Sequence, residues 1–456
     1  MKIVERQKRA KTISIPTYDK DVKFHLRELR QPICLFGEDP FLRRERLREV
    51  VTKIYIDEGR LPSFKKIPKI EEREEVKVSE IFYTRGTEKL KQVRNDIAKY
   101  SIPRSTMRFL INRIEQSKKQ RIDQKNEEKP LQDDIINNKF SSFEVIKTQF
   151  ADERCASKIT FSPDDKLIAT SGWSSISKIW SIFYSDIETC QPITSLEGHK
   201  GKVFYICFHP QSQISTSLPL LILATAGEDA SLRIWKIDPE ASINQSSIDF
   251  LGHEERINYC KFHPSGFYVA SSSHDSTWRL WDLETRTELL IQEGHKDPVF
   301  PISFQNDGAL LASGDLQGIG LVWDLRSGKN IMSLQGHVKR ILSIEFHPNC
   351  YQIASGSDDN TVRIWDMRKR DCLYVIPAHN KLISDIKFDE NGKFMTTASY
   401  DYSWKIWNTS DYREISCNKG HENKLSGIAF NKDYTTFVTS SFDKTFKIWK
   451  PIPKVN

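Results

Sequence analysis

A histidine, a hydroxyl residue and an aspartate recur in fixed order along the last two-thirds of this chain, and each set ends on a tryptophan. His253, Ser271, Asp275 and Trp281 form one set. His337, Ser355, Asp359 and Trp365 form a second, His379, Thr397, Asp401 and Trp407 a third, and His421, Thr439, Asp443 and Trp449 a fourth. His199, Thr225, Asp229 and Trp235 make a fifth, stretched by an insertion around residues 211–219. Ser, His and Asp are the parts of a nucleophilic triad. An active site, however, is single and open to substrate, whereas this constellation repeats and closes each time on an indole. The residues read instead as a buried relay: Asp accepts from the His ring, His reaches the hydroxyl, and the hydroxyl meets the indole N–H. Each group is costly to bury alone and tolerable when satisfied, and each bond is worth about 0.5–1.5 kcal/mol net. No Gly-rich phosphate loop, HExxH or paired-Cys metal site occurs. The chain reads as a non-enzyme with no cofactor.

The tryptophans set the larger frame. Trp180, Trp235, Trp281, Trp323, Trp365, Trp407 and Trp449 follow one another, the last four intervals being 42 residues each. A fixed period of this size marks a repeat architecture. Short alternating or apolar runs (RILSIEF, YQIASGS, TVRIWD) are separated by turn signals such as HPSG, DENG and NDG, which gives about four short strands per repeat. Two repeats depart from the pattern. The fourth has His295, Ser313 and Trp323 but Gln317 at the Asp position; the first has Asp152 at the His position and Ser174 at the Asp position. Both are expected to lack a complete relay.

The pattern GH…(S/T)…D…WD resembles the WD40 repeat. Seven copies over residues 142–453 imply an all-β seven-bladed WD40 β-propeller, here with an α-helical N-terminal extension. In this family each repeat supplies three inner strands and the outer strand of the next blade. The strand missing at the end of the ring must then come from ahead of the first repeat, and Phe143–Phe150 (FEVIKTQF) is the best candidate. Trp278 and Trp404 fall outside the repeat set, as surface anchors or as packing between blades.

Charge divides the chain. Residues 1–150 hold 35 Lys/Arg against 24 Asp/Glu, while the remainder holds 33 against 37. A basic N-terminal third suits an acidic or nucleic-acid partner, or a solvated helical surface. The eight cysteines are scattered without zinc-finger spacing, which fits a reducing compartment. The first residues lack the apolar core of a signal peptide, and no window approaches the 18 apolar residues of a membrane span.

The N-terminal third divides into a helical element (1–55), charged linkers (56–87 and 126–141) and a basic helical segment (88–125). Val22, Leu26 and Leu29 lie at helical spacing, and Pro32 stops that helix. Asp39-Pro40 caps a second helix, with Phe41, Leu42, Leu47, Val50 and Val51 expected on its apolar side and Arg43, Arg44, Arg46 and Arg48 on the other. The string QPICLFGEDPFLRRERLREV resembles the short splicing-factor motif in its Pro32, Ile33, Leu35, Phe36, Gly37, Glu38, Pro40, Arg43, Arg44, Arg46 and Leu47. That motif stands ahead of a seven-bladed propeller in the pre-mRNA-processing factor four family, the WD-repeat protein of the U4/U6 small nuclear ribonucleoprotein (snRNP). Ile97–Leu110, His274–His295 and Asn360–Phe388 resemble further stretches of that family. The resemblance implies a nuclear, non-catalytic scaffold of the spliceosome. The partners it implies are U4/U6 snRNA, pre-mRNA-processing factor three, a cyclophilin in many members, and other tri-snRNP proteins, with no membrane.

Two groups of residues are candidate contacts. Arg43, Arg44 and Arg46, with Arg104, Arg108, Arg113, Lys118, Lys119 and Arg121, are candidates for RNA phosphate. Met107, Leu110, Ile111 and Ile114 give the second segment an apolar stripe, which alternatively packs on the propeller or a partner. The second group should face one rim of the ring: Lys202, Arg256, Arg340 and Lys424, three residues past the repeat His, and Glu228, Asp358, Tyr400 and Phe442, just before the repeat Asp. Charge with an aromatic pair suits a protein interface. A rival reading, a WD40 substrate receptor of a cullin ubiquitin ligase, rests on the W-D-x-R runs ending at Arg326 and Arg368.

Overall fold

The computed structural model describes residues 16, 19–33, 38–58, 88–122, 140, 142–182, 192–212, 221–237 and 246–452. They fall into two compact units, residues 1–84 and 85–456.

The first unit is a helix pair, α1 (Asp19–Glu28) and α2 (Pro40–Glu58). Helix α1 ends in a Schellman arrangement, with Arg30 at φ +56° and Gln31 N–H donating to Leu26 C=O at 2.9 Å. Pro40 opens α2, where its missing N–H costs nothing. Val22 and Leu26 pack against Leu47 and Val51. The stripe of α2 that meets them therefore runs 43, 47, 51, in steps of one helical turn plus a fraction. This corrects the expected apolar side: Phe41 and Leu42 are 66% and 50% exposed, whereas Arg43 is buried.

The second unit holds helix α3 (Glu88–Ile122) and seven four-stranded antiparallel sheets. The first strand of each sheet lies nearest the axis: Ala156–Phe161, Val203–Phe208, Ile257–Phe262, Val299–Phe304, Ile341–Phe346, Ile383–Phe388 and Leu425–Phe430. Each packs on the next, and the seventh packs on the first, so the ring is closed. Closure uses the N-terminal strand: Phe143–Phe150 pairs antiparallel with Thr445–Pro451 as the outer strand of the seventh sheet. This removes the unpaired edge that an open array would expose.

Blades are welded by aromatic side chains. Trp278 and Trp404 are fully buried, and their rings meet Trp323 and Trp449 of the following blades at centroid distances of 6.0 and 5.5 Å. They are inter-blade packing residues. Among the described residues no helix is long and apolar enough to cross a membrane.

Candidate functional site

The repeated relay forms, with short bonds. In blades two, three, five, six and seven the indole N–H donates to the Ser or Thr oxygen at 2.8–3.0 Å. The hydroxyl lies 2.7–2.8 Å from His Nε2, and His Nδ1 lies 2.7–3.0 Å from the aspartate. A carboxylate only accepts, so Nδ1 carries the proton, Nε2 accepts, and the hydroxyl donates to it. Burial alone would raise the pKa of Asp229, Asp275, Asp359, Asp401 and Asp443. Hydrogen bonds from the histidine and from a following hydroxyl outweigh it and hold all five well below the usual carboxylate range. With the hydroxyls buried behind indoles, the relay offers no nucleophile.

Blade four corrects the sequence reading. Gln317 is not the histidine's partner; Asp315, two residues earlier, is, at 3.1 Å from His295 Nδ1. Ser313 completes the chain at 2.7 Å, with Trp323 at 2.9 Å. Asp315 occupies the position of Ser273, Ser357, Ser399 and Ser441 in other blades, whose hydroxyls accept the N–H of the relay aspartate. In blade one the indole of Trp180 still donates to Thr170, at 2.9 Å, but Asp152 accepts from Ser174 and no histidine intervenes.

The relay fixes the mouth of the ring. In every blade the residue just before the Asp position donates its N–H to the carbonyl of the residue three past the His position, at 2.8–3.2 Å. Glu228 thus pairs with Lys202, His274 with Arg256, Asp358 with Arg340, and Phe442 with Lys424. The rim candidates are thereby brought together at one end of the channel. Their side chains divide it. Trp173, Phe442 and Tyr400 meet edge to face at 5.4 Å, flanked by Lys202 Nζ 5.0 Å from the Trp173 ring and Lys424 Nζ 5.1 Å from Tyr400. Farther round, Arg256 bonds His274 at 2.7 Å and Arg340 pairs with Asp358 at 3.2 Å. Partly exposed aromatics capped by cations suit a partner with apolar and acidic groups.

The other end of the ring carries α3. Its first half is the docked half: Leu90, Val93 and Ile97 are buried among blade residues that include Tyr268 and Leu325. Beyond Pro103 the stripe of Met107, Leu110, Ile111 and Ile114 stays out of that core, each side chain at least half exposed. Arg108, a candidate RNA contact, instead bonds Asp307 at 2.6 Å and the Asn349 carbonyl at 2.9 Å. Arg104 lies over the Tyr100 ring at 3.5 Å. The side chains of Lys118, Lys119 and Arg121 lie outside the described residues.

The arginines of the N-terminal motif are partly engaged within it. Arg43 bonds Asp19 at 2.5 Å and the Glu38 carbonyl at 3.1 Å. Arg46 grips both oxygens of Glu38, at 2.6 and 2.9 Å, and the Pro32 carbonyl at 2.8 Å. Bidentate pairs of this kind fix geometry, and both guanidiniums are turned toward the chain itself. Arg44 is half-buried. Leu35, Phe36 and Gly37 of the motif lie outside the described residues.

Two family models match the chain. One, described as the IFT122 first β-propeller, covers residues 155–450; the other, described as pre-mRNA processing factor 4 (PRP4) like, covers residues 22–50. The chain belongs to that β-propeller family, and ahead of the propeller its residues 22–50 match the PRP4-like model. The curated relatives agree. U4/U6 small nuclear ribonucleoprotein PRP4 of Saccharomyces cerevisiae is 31% identical over 281 residues, 61% of this chain and 56% of the relative. The Homo sapiens protein of that name is 38% identical over 211 residues, 46% of this chain and 38% of the relative. A PRP4-like protein of Arabidopsis thaliana is 37% identical over 238 residues, 51% of this chain and 39% of the relative. The chain spans about half the length of these relatives or less.

In this ring, two sets of residues escaped the reading of the sequence. At the end opposite the mouth, His209, His263 and His347 reach into the next blade. Their Nε2–H groups donate to the carbonyls of Gly266, Gly308 and Gly392 at 2.8–2.9 Å, while Nδ1 accepts a backbone N–H two residues on. The signal was present: each sits in the triplet Phe-His-Pro after an innermost strand. The channel hides the second set. Lys158 pairs with Asp385 at 3.0 Å, both buried, and the half-buried Glu345 pairs with Lys261 at 2.7 Å and Lys387 at 3.6 Å, each pair joining innermost strands of two different blades. Their signal was one charge in an otherwise uncharged strand (ASKITF, INYCKF, ILSIEF), or two in ISDIKF.

Proposed function

We propose that this chain is a non-catalytic scaffold of the U4/U6 and U4/U6.U5 tri-snRNP, acting in the nucleus in pre-mRNA splicing and bridging snRNA to snRNP proteins. The observation that carries this reading is the PRP4-type motif at residues 22–50 ahead of a closed seven-bladed ring. The relay's buried hydroxyls support the non-catalytic part. The mouth, with its aromatic cluster and flanking lysines, is the proposed protein platform for pre-mRNA-processing factor three, for a cyclophilin or for other tri-snRNP proteins. Phosphate contact is assigned to Arg44 and to the basic residues at the end of α3, namely Lys118, Lys119 and Arg121. Arg43, Arg46 and Arg108 act as positioning residues within the chain. Weak sites linked on one chain gain affinity through effective concentration.

Ultraviolet crosslinking of the native protein, followed by sequencing of the attached RNA, tests the role. U4 and U6 RNA are the expected products, and their absence overturns the proposal. Co-purification with a ubiquitin-ligase adaptor, lost on Arg326→Ala plus Arg368→Ala, would favour the rival reading instead. In the structure both arginines fold back onto Asp324 and Asp366, at 3.1 and 3.0 Å.

A further inference from the structure

Helix α3 changes character at Pro103. Upstream, Leu90, Val93 and Ile97 are buried. Downstream, Met107 (59% exposed), Phe109 (66%), Leu110 (56%), Ile111 (50%) and Ile114 (54%) stand in solvent within little more than two turns. They point around much of the helix circumference, a distribution that belongs to a covered helix. A patch of this size on an otherwise charged segment marks an interaction site.

Beside this stretch runs a groove of about 590 Å³. Pro103, Met107 and Ile111 form one wall, and the turns at residues 306–307, 347–350 and 390–391 of three successive blades form the other. Its geometry is held from below: Arg108 ties the helix to Asp307 and to the Asn349 carbonyl. The groove is thus built by the docked helix rather than left over from it.

We propose that this groove and the adjoining face of α3 bind an amphipathic α-helix of a partner protein, apolar on one side and acidic along its flank. The shape argues for a helix. A helical wall offers no free strand edge for β-addition, and its ridges accept another helix's side chains. The exposed stretch, at 1.5 Å per residue, is matched by about three turns of partner. Charge argues for acidity: from residue 104 to 114 the helix carries Arg104, Arg108 and Arg113 and no Asp or Glu, while the facing wall carries Asp307, paired with Arg108, and Glu390. RNA is disfavoured at this stretch because aliphatic side chains have no affinity for phosphate or ribose, and of the five only Phe109 offers a stacking face. The inference stands apart from the splicing role.

The test uses the purified full chain and three probes. One is a designed 18-residue helix with Leu at three- and four-residue spacing and Glu on the flank; the others are its Lys-flanked counterpart and a 20-nucleotide oligouridine. The acidic helix should bind at least about tenfold more tightly than the Lys version. Met107→Glu plus Ile111→Glu should weaken it by a further factor of about ten or more, with the thermal midpoint unchanged because both side chains are exposed. Equal binding of both peptides overturns the proposal, as does indifference to the double substitution. Oligouridine binding lost with that substitution, or a concentration-dependent self-association abolished by it, would give the face to RNA or to a second copy and likewise overturn it.

Discussion

Histidines stand at both ends of the ring, and the two sets hold opposite tautomers. At the mouth, Nδ1–H points at a carboxylate of the same blade and Nε2 accepts. At the turn end, Nε2–H points at a carbonyl of the next blade and Nδ1 accepts a backbone N–H. The mouth set holds each blade to its own shape; the turn set holds neighbours together. One residue type does two jobs because a neutral imidazole always has one donor and one acceptor, and the partners decide which nitrogen is which.

Deleting a mouth histidine should have the largest effect. His253→Ala strands Asp275 and Ser271 in a buried site and should cost about 3 kcal/mol. Thr170→Val in blade one, where no histidine is present, removes a single indole bond and should cost about 1 kcal/mol. Urea unfolding followed by tryptophan fluorescence measures both, and equal losses would erase the distinction between complete and incomplete relays. At the turn end the sensitive residue is the acceptor. Gly308 has φ +78°, and a Cβ there would lie 2.7 Å from His263 Nε2 and 3.2 Å from the Tyr100 ring. Gly308→Ala should therefore cost about 2–3 kcal/mol, read in the same assay.

Acid should separate the two ends. The relay aspartates at the mouth are held below their ordinary range, so their contribution is complete above about pH 4 and is lost only as pH falls further. The turn histidines behave differently. Burial lowers the pKa of His209 and His347 and brings His263 down to about 4, with the Arg104 charge also opposing protonation there. A histidine with a depressed folded pKa contributes fully above its unfolded value and loses that contribution as pH falls toward the folded one. For His263 that window is roughly pH 6.5 to 4. Stability should be about 2 kcal/mol lower at pH 5 than at pH 7.5 from this group alone. His263→Gln should flatten that slope and leave the fall below pH 4 in place. A slope unchanged by the substitution would locate the acid sensitivity elsewhere.

Much of the ring was legible because its period is rigid. Tryptophan spacing gave the blade number, and the strand order of the repeat pointed to Phe143–Phe150 as the closing strand. What could not be read was anything decided across blades. Lys158 and Asp385 lie 227 positions apart in sequence and meet only because the ring closes. Arg43 looked like a surface cation by type, yet its stem continues the Leu47–Val51 stripe and its head finds Asp19 on another helix. The stripe of α3 was correctly seen as apolar, but the docking face is the less conspicuous run of Leu90, Val93 and Ile97. Pattern reports which residues share a face; it does not report which face is covered.

The subtlest contrast lies between blades one and four, the two that break the repeat. Blade four keeps a carboxylate beside its histidine by moving it back two positions; its turn bends through Gly318 at φ +85°, while Asp315 Oδ1 accepts the N–H groups of Gln317 and Ile319 at 3.0 and 2.8 Å. If position in space is what matters, the two registers are interchangeable. Asp315→Ser alone should cost about 1 kcal/mol, because His295 Nδ1–H loses its carboxylate acceptor while the introduced hydroxyl can still accept one N–H of the turn. Gln317→Asp alone should change stability by less than about 0.5 kcal/mol, since a second carboxylate beside Asp315 gains no new donor. Together they rebuild the serine–aspartate turn of blade five, and the pair should recover most of the loss, a coupling of about 1 kcal/mol in a double-mutant cycle. Strict additivity would mean that the fourth turn's backbone, shaped around Gly318, admits only its own register.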